Sequence, residues 1–185
     1  MGAVDRGPGG PDRGAMDDVV PPGISDVTPW RDWPAAAHGV LEFLHQHVGW
    51  DVWMVTRVVD GCQIVLCAVP AGPVQPGDRL LWEDSFCREM IEGRAPRVAT
   101  VTAAVPAYAA LSKGLGREVA AYLGVPLVAP DGHLFGTLCG VAYRAKPLSA
   151  VRDLPLVEAM ARLLSTLLVP GFPTESALVL PPPGG

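Results

Sequence analysis

Charge is scarce in this chain: 18% of its 185 residues are charged, against 49% that are hydrophobic. Nineteen acidic side chains outnumber 14 basic ones, giving a formal net charge of -5. That balance excludes a sequence-wide nucleic-acid-binding surface. Long apolar runs are missing as well. Mean hydropathy is +0.28, yet the longest uncharged run, Gly61–Gly77, is interrupted by prolines at 70, 73 and 76. No run supplies the roughly 20 apolar residues of a membrane-spanning helix. The opening MGAVDRGPGG has no apolar core of the signal-peptide kind, and Arg6 stands where a myristoylation pattern needs Ser or Thr. These absences predict a soluble, cytoplasmic protein with no membrane span.

Metal and nucleotide signatures are also lacking. The four cysteines, Cys62, Cys67, Cys87 and Cys139, are spaced by 5, 20 and 52 residues, so no C-x-x-C exists and a disulfide framework is not expected. Strict strand alternation would point Cys62 and Cys67 to opposite faces. His45 and His47 are splayed on a helix, His38 and His45 lie two turns apart, and His133 follows a turn, so no metal site is expected. Gly114-Leu115-Gly116 lacks the third glycine of a dinucleotide fingerprint, and G-x-S-x-G, H-E-x-x-H and P-loop strings are absent.

What remains is organised in three parts. Residues 1–26, with six Gly and four Pro, and the Pro-rich residues 170–185 are too poor in aliphatic runs to fold and are expected to be flexible tails. Between them, residues 27–169 form one domain. The tails hold most of the acidic excess: residues 1–26 carry five acidic and two basic side chains, and 170–185 add Glu175. The folded part is therefore nearly neutral.

Asp32 and Pro34 open a helix whose apolar positions Ala37, Val40, Leu41, Leu44 and Val48 share a face, with Gly49 as its stop. Strands at Val52–Val59 and Cys62–Val69 flank Asp60-Gly61, a hairpin signal. Asp84 or Ser85 caps a short helix bearing Phe86, Cys87, Met90 and Ile91, and Arg97–Val101 reads as a short strand. Irregular structure is expected over 102–117. A second hairpin pairs Val119–Val128 with Leu134–Tyr143 around Asp131-Gly132, with Pro126 marking a bulge or an edge. A last helix, Asp153–Leu168, would set Leu156, Met160, Leu163, Leu164 and Leu167 inward. Two hairpins and two terminal amphipathic helices define an α+β sheet with helices packed on it.

The stretch YLGVPLVAPDGHLFGTLCG (Tyr122–Gly140) resembles the terminal hairpin of a GAF domain. DSFCREMIEGRAPRV followed by VPAY is similar to the S-F-C helix, P-x-V strand and downstream Tyr of GAF modules in bacterial histidine kinases and diguanylate cyclases. The resemblance covers residues 33–169. It implies a six-stranded antiparallel sheet, terminal helices on one face and a ligand pocket on the other. It also implies a sensor that signals to an output domain. No such domain follows Leu168, so a separate signalling output protein or a homodimer through the terminal helices would carry the signal.

The resemblance gives no cofactor. The Cys-His pair of bilin-binding members is absent, as are the N-K-F-D-E string of cyclic-nucleotide-binding members, the cysteine set of free methionine sulfoxide reductases and a lid histidine for haem. The implied ligand-binding residues are Phe86, Arg97, Tyr108, Tyr122 and Val125. Arg94, Arg97, Lys113 and Arg117, with no acidic residue between Gly93 and Arg117, suit a small anionic ligand; equally, they suit solvated loop charges facing Glu83, Glu89 or Glu92. Cys87, beside Arg88 in a first helical turn, reads either as a redox thiol or as a buried structural one, and Cys139 as sheet packing. Three functions stay open: a non-catalytic sensor of a small molecule, a thiol redox enzyme or sensor using Cys87, and a structural dimerisation module.

Overall fold

The computed structural model describes Gly2 and residues 28–72, 74–111 and 118–168. Apart from Gly2, the two expected tails lie outside the described residues, as do Lys113, Arg117 and the glycines at 114 and 116. Six strands, β1 (Val52–Val59), β2 (Cys62–Val69), β3 (Arg79–Leu81), β4 (Val98–Ala99), β5 (Ala121–Val128) and β6 (Leu134–Ala142), form one sheet in the order β3-β2-β1-β6-β5-β4. Every neighbouring pair is antiparallel. The helices are α1 (Trp33–Val48), α2 (Phe86–Ile91), α3 (Pro106–Ala109) and α4 (Leu154–Thr166). Single 3-10 turns fill Trp82–Asp84 and Thr102–Ala104, and a longer one, Leu148–Asp153, leads into α4.

Local chemistry sets these boundaries. The Asp32 carboxylate accepts the Ala35 N–H at 2.8 Å, Pro34 sits in the first turn, and Gly49 ends α1 with φ 71°. Asp60 and Gly61, at φ 49° and 70°, give the β1–β2 connection the two positive φ angles of a two-residue turn. The second Asp-Gly works differently. Gly132 N–H bonds Ala129 O, and Ala129 N–H bonds His133 O, both at 2.9 Å, so the loop is a β-turn over Ala129–Gly132 closed by a glycine at φ 85°. Thr102–Ala104 and Pro106–Ala109 turn helically where irregular chain was expected, because Pro106 presets the first turn of α3.

The sheet separates two apolar clusters. Strand alternation sends Trp53, Val55, Leu123, Val125, Leu127 and Leu138 toward α1 and α4, and Val52, Met54, Tyr122, Cys139 and Val141 toward α2 and α3. Alternation breaks once in β2. Val55 pairs Cys67 and Thr56 pairs Val65, so Leu66 is an extra residue. Leu66 and Cys67 consequently both lie on the α1 side. Gln63 faces the other cluster, which leaves Cys62 on the α1 side too: the bulge corrects the expectation that the two thiols oppose. Cys67 Sγ rests 3.6 Å from His38 Nδ1, and burial pushes its pKa up to about 11.

Helix α4 also departs from expectation. It turns Val157, Ala161 and Leu164 inward and leaves Leu156 and Leu163 exposed at 36% and 38%. Leu164, with Met160 and Leu167 partly buried beside it, packs on the core as expected, so the departure is confined to Leu156 and Leu163.

Candidate functional site

The α2 side of the sheet carries a small polar cluster inside an apolar wall. Ser85 caps α2, its hydroxyl accepting the Arg88 N–H at 3.1 Å, and this cap starts the helix at Phe86. Cys87 therefore points down onto the strands. Thr56 of β1, Gln63 of β2, Tyr122 of β5 and Thr137 and Cys139 of β6 point up at it. All six side chains are buried.

Their hydrogen bonds run in one direction. The Gln63 amide donates to Cys87 Sγ and to Thr56 Oγ1, each at 2.9 Å. Thr56 Oγ1 and Thr137 Oγ1 lie 2.8 Å apart and either can donate; when the Thr137 proton goes to Cys87, Thr56 is the donor. The Thr137 hydroxyl then donates to Cys87 Sγ at 3.2 Å, and the Tyr122 phenol does the same at 3.2 Å. Cys139 Sγ lies 4.0 Å from the same sulfur. Each hydroxyl has a single proton, so the chain of donors ends on Cys87. A thiol is a weak acceptor and a thiolate a strong one, and this arrangement suits the thiolate.

The Cys139 thiol, foremost, then Thr137, Tyr122 and Gln63 draw the Cys87 pKa from 9.0 down to about 6 against the opposing effect of burial. Cys139, facing that charge in the same dry site, is pushed up. Burial and the neighbouring Cys87 raise Tyr122 in the same way, so its phenol keeps its proton.

Linkage gives this arrangement a pH signature. A depressed folded-state pKa means that the unfolded chain binds more protons between about pH 6 and pH 9, so stability rises with pH across that window and is lost as pH falls through 6. Above 9.0 the raised Cys139 reverses the slope. Urea midpoints measured across this range are expected to rise and then fall in the wild type. Cys87→Ser is expected to remove the rise.

Phe86, Tyr108 and Tyr122 pack around the sulfur with ring centroids 5.1–5.3 Å apart. Tyr108 OH donates to Pro96 O at 2.7 Å, which anchors the ring under α2. Tyr122 reaches Cys87 because the next residue on its face is Gly124, where a Cβ would fall 2.0 Å from the phenol oxygen. Beside the cluster lies a cavity of about 30 Å³, lined also by Met54, Val65, Leu80, Phe86, Leu111 and Val141. That is room for one or two water-sized molecules.

Of the five expected ligand residues, Phe86 and Tyr122 line the cavity, and Tyr108 packs on both of their rings without lining it. Val125 and Arg97 lie elsewhere. Val125 is odd-numbered on β5, as are Leu123 and Leu127, and alternation turns it toward α4. Arg97 bridges Glu158 of α4 at 2.5 Å. Arg94 is tied to Glu89 at 2.8 Å and to Glu92, and its bond to Glu89 lowers the Glu89 pKa and raises that of Arg94. The described part of the basic stretch therefore brings no cation to the pocket. Sequence reasoning missed Thr56, Gln63 and Thr137. The signal was available: each is a lone uncharged polar residue in an apolar strand, and buried polar groups need partners.

A sheet flanked by α1 and α4 on one face, with a walled pocket under α2 and α3 on the other, defines an α+β domain of the ligand-pocket class. The GAF domain model matches residues 32–168, and the chain belongs to the GAF domain family, whose members generally serve as sensory or regulatory ligand-binding domains. No curated protein matches the chain. Among solved structures, the GAF domain of an Acinetobacter phosphoenolpyruvate-protein phosphotransferase is 12% identical, with TM-score 0.61 over 77% of this chain and 84% of that one. The free methionine-R-sulfoxide reductase of Neisseria meningitidis, solved with its substrate, is 18% identical, with TM-score 0.58 over 75% and 79%. The chromophore-binding domain of an R. palustris bacteriophytochrome is 15% identical, with TM-score 0.57 over 73% of this chain; the match spans 55% of that chain, little more than half. At these identities the likeness is one of fold. No helix among the described residues is long and apolar enough to cross a membrane, and no described group of His, Cys, Asp and Glu is set to hold a metal.

Proposed function

We propose that this GAF domain is a non-catalytic sensor whose working site is the pocket over Cys87, of the kind that regulates histidine kinases and diguanylate cyclases. The observation that carries the reading is the buried cluster Thr56–Gln63–Thr137–Tyr122 beside the cavity. An apolar packing of the same volume would satisfy the core without such a network, so its polar groups fit recognition of a bound molecule. With Arg94 and Arg97 engaged by carboxylates elsewhere, the ligand is a small polar molecule read by hydroxyl and amide groups. Its entry widens the cavity under α2, and the change passes to a second copy or a separate output protein through α1 and α4, where Phe43, Leu156 and Leu163 are exposed.

A thermal-shift panel of nucleobases, nucleosides and small carboxylic acids tests this. A ligand at 100 times its Kd stabilises the domain by about 2.7 kcal/mol. At least one class is expected to raise the wild-type Tm and to lose its effect in Gln63→Leu. A flat response across the panel removes the ligand sensor and leaves a redox sensor or a structural dimerisation module.

A second reading is favoured by a separate observation, the convergence of three donors on Cys87 Sγ. It makes Cys87 the active thiol of a redox sensor.

A further inference from the structure

Cys87 has a second sulfur within reach. Cys139 Sγ stands 4.0 Å away on the central strand β6, and both thiols are free and buried. Cys87 sits on the short helix α2, so the two belong to opposite walls of one pocket. The donors are distributed unequally. Gln63 and Tyr122 bond only Cys87 of the two, which makes that sulfur the nucleophile and leaves Cys139 a protonated neighbour. Cys87 and Cys139 both line the 30 Å³ cavity, which before any widening admits a molecule little larger than water, the size of hydrogen peroxide.

The geometry points to a peroxide-responsive dithiol: Cys87 is oxidised by hydrogen peroxide and Cys139 resolves it as an intramolecular disulfide. This deepens the redox reading of the pocket by naming the oxidant class and the second sulfur. The Cys87 thiolate attacks one peroxide oxygen, the O–O bond breaks, and the departing hydroxide takes a proton from solvent to leave as water. Cys87 is then a sulfenic acid. The Cys139 sulfur attacks Cys87 Sγ, the S–O bond breaks, and the hydroxide released takes the Cys139 proton as a second water. In sum two thiols lose two electrons and two protons, and one peroxide becomes two waters. The bond needs the sulfurs to close to about 2.05 Å, a movement of α2 toward β6. Oxidation thereby staples the pocket wall to the sheet, and a dithiol reductant reverses it.

Cys62 and Cys67 serve as internal controls. Cys67, with its pKa held near 11 chiefly by burial, has little thiolate at neutral pH and is slow toward peroxide. The full chain is treated with a few equivalents of hydrogen peroxide, denatured in alkylating reagent and mapped by peptide mass spectrometry. The expected result is a Cys87–Cys139 cross-linked peptide, cleaved by dithiothreitol, with Cys62 and Cys67 alkylated. Cys139→Ser is expected to stop at a sulfenic acid on Cys87 that dimedone traps. Tyr122→Phe removes one hydrogen bond to the thiolate and is expected to slow wild-type oxidation about tenfold. The wild-type map needs no variant, so a poorly folded mutant leaves the test intact. A dimedone adduct on wild-type Cys87 with no cross-link overturns the pairing and leaves Cys87 a redox thiol. Four alkylated cysteines after peroxide overturn both readings. Oxidation of Cys62 or Cys67 ahead of Cys87 also overturns the proposal.

Discussion

Trp33→Ala is expected to destabilise the domain by about 3–5 kcal/mol, the range for truncating a buried tryptophan. The side chain is 1% exposed and packs edge-on against Phe135 at a centroid distance of 5.5 Å. Its indole N–H donates to Leu164 O at 3.0 Å. Leu164 lies in the last turn of α4, where carbonyls have no partner within the helix. One side chain therefore fills the space between α1, the sheet and α4 and also completes the end of α4. Its removal opens a cavity and orphans a buried acceptor. Trp33→Phe keeps most of the volume and loses the donor, with an expected cost of about 1 kcal/mol beyond the packing change. Urea denaturation of the two variants separates the contributions. A loss under 1 kcal/mol for Trp33→Ala would contradict the packing described.

Gly136→Ala is expected to be at least as damaging, about 3 kcal/mol or more, although it adds a single methyl. A Cβ at this position would fall 1.8 Å from Thr56 O, 2.7 Å from Thr56 C and 2.9 Å from Arg57 Cα. All three are backbone atoms of the central strand β1, and none can rotate away. The methyl forces β1 and β6 apart between the Thr56↔Thr137 and Arg57↔Gly136 pairs. The damage reaches the pocket, since the Thr56–Thr137 hydrogen bond spans that junction. Gly140→Ala is the informative contrast. Its Cβ would have the Trp53 ring as its nearest neighbour, at 2.9–3.0 Å, a side chain rather than the backbone of the adjoining strand. Gly136→Ala is expected to unfold at lower urea than Gly140→Ala and to expose Cys87 to alkylation. Equal midpoints would show that β1 yields at Thr56.

The difference between these two glycines shows what the sequence can and cannot say. The G-T-L-C string was visible as a motif, and both hairpins, α1 and the Ser85 cap were legible because short-range rules govern them: turn chemistry, alternation and capping. The aromatic trio was legible through the family resemblance. Which face a residue takes depends on counting from a fixed point, and a single extra residue spoils the count. The bulge at Leu66 did so for Cys67. Val125 differs for another reason: alternation from Tyr122 along β5 puts it on the opposite face of the sheet. Arg97 was misplaced because its partner, Glu158, is 61 residues away on α4, a distance that no local pattern spans. In α4 itself, hydrophobicity ranked leucine above alanine, whereas Ala161 is buried and Leu156 and Leu163 are exposed.

The extra residue in β2 has a consequence beyond face counting. Pairing alone does not call for Leu66: without it, Val65 and Cys67 would follow one another as an ordinary alternating pair. Its effect is on curvature, since a bulge bends and twists the strand that holds it. The outer half of β2, which bears Gln63, is swung relative to the inner half. Sheet shape, as much as residue identity, thus sets the span between the amide and the sulfur. A relative carrying the same six pocket side chains on an unbent strand would hold the same composition with different chemistry. Homology in this pocket has to be judged by insertions and deletions in its strands as well as by matching letters.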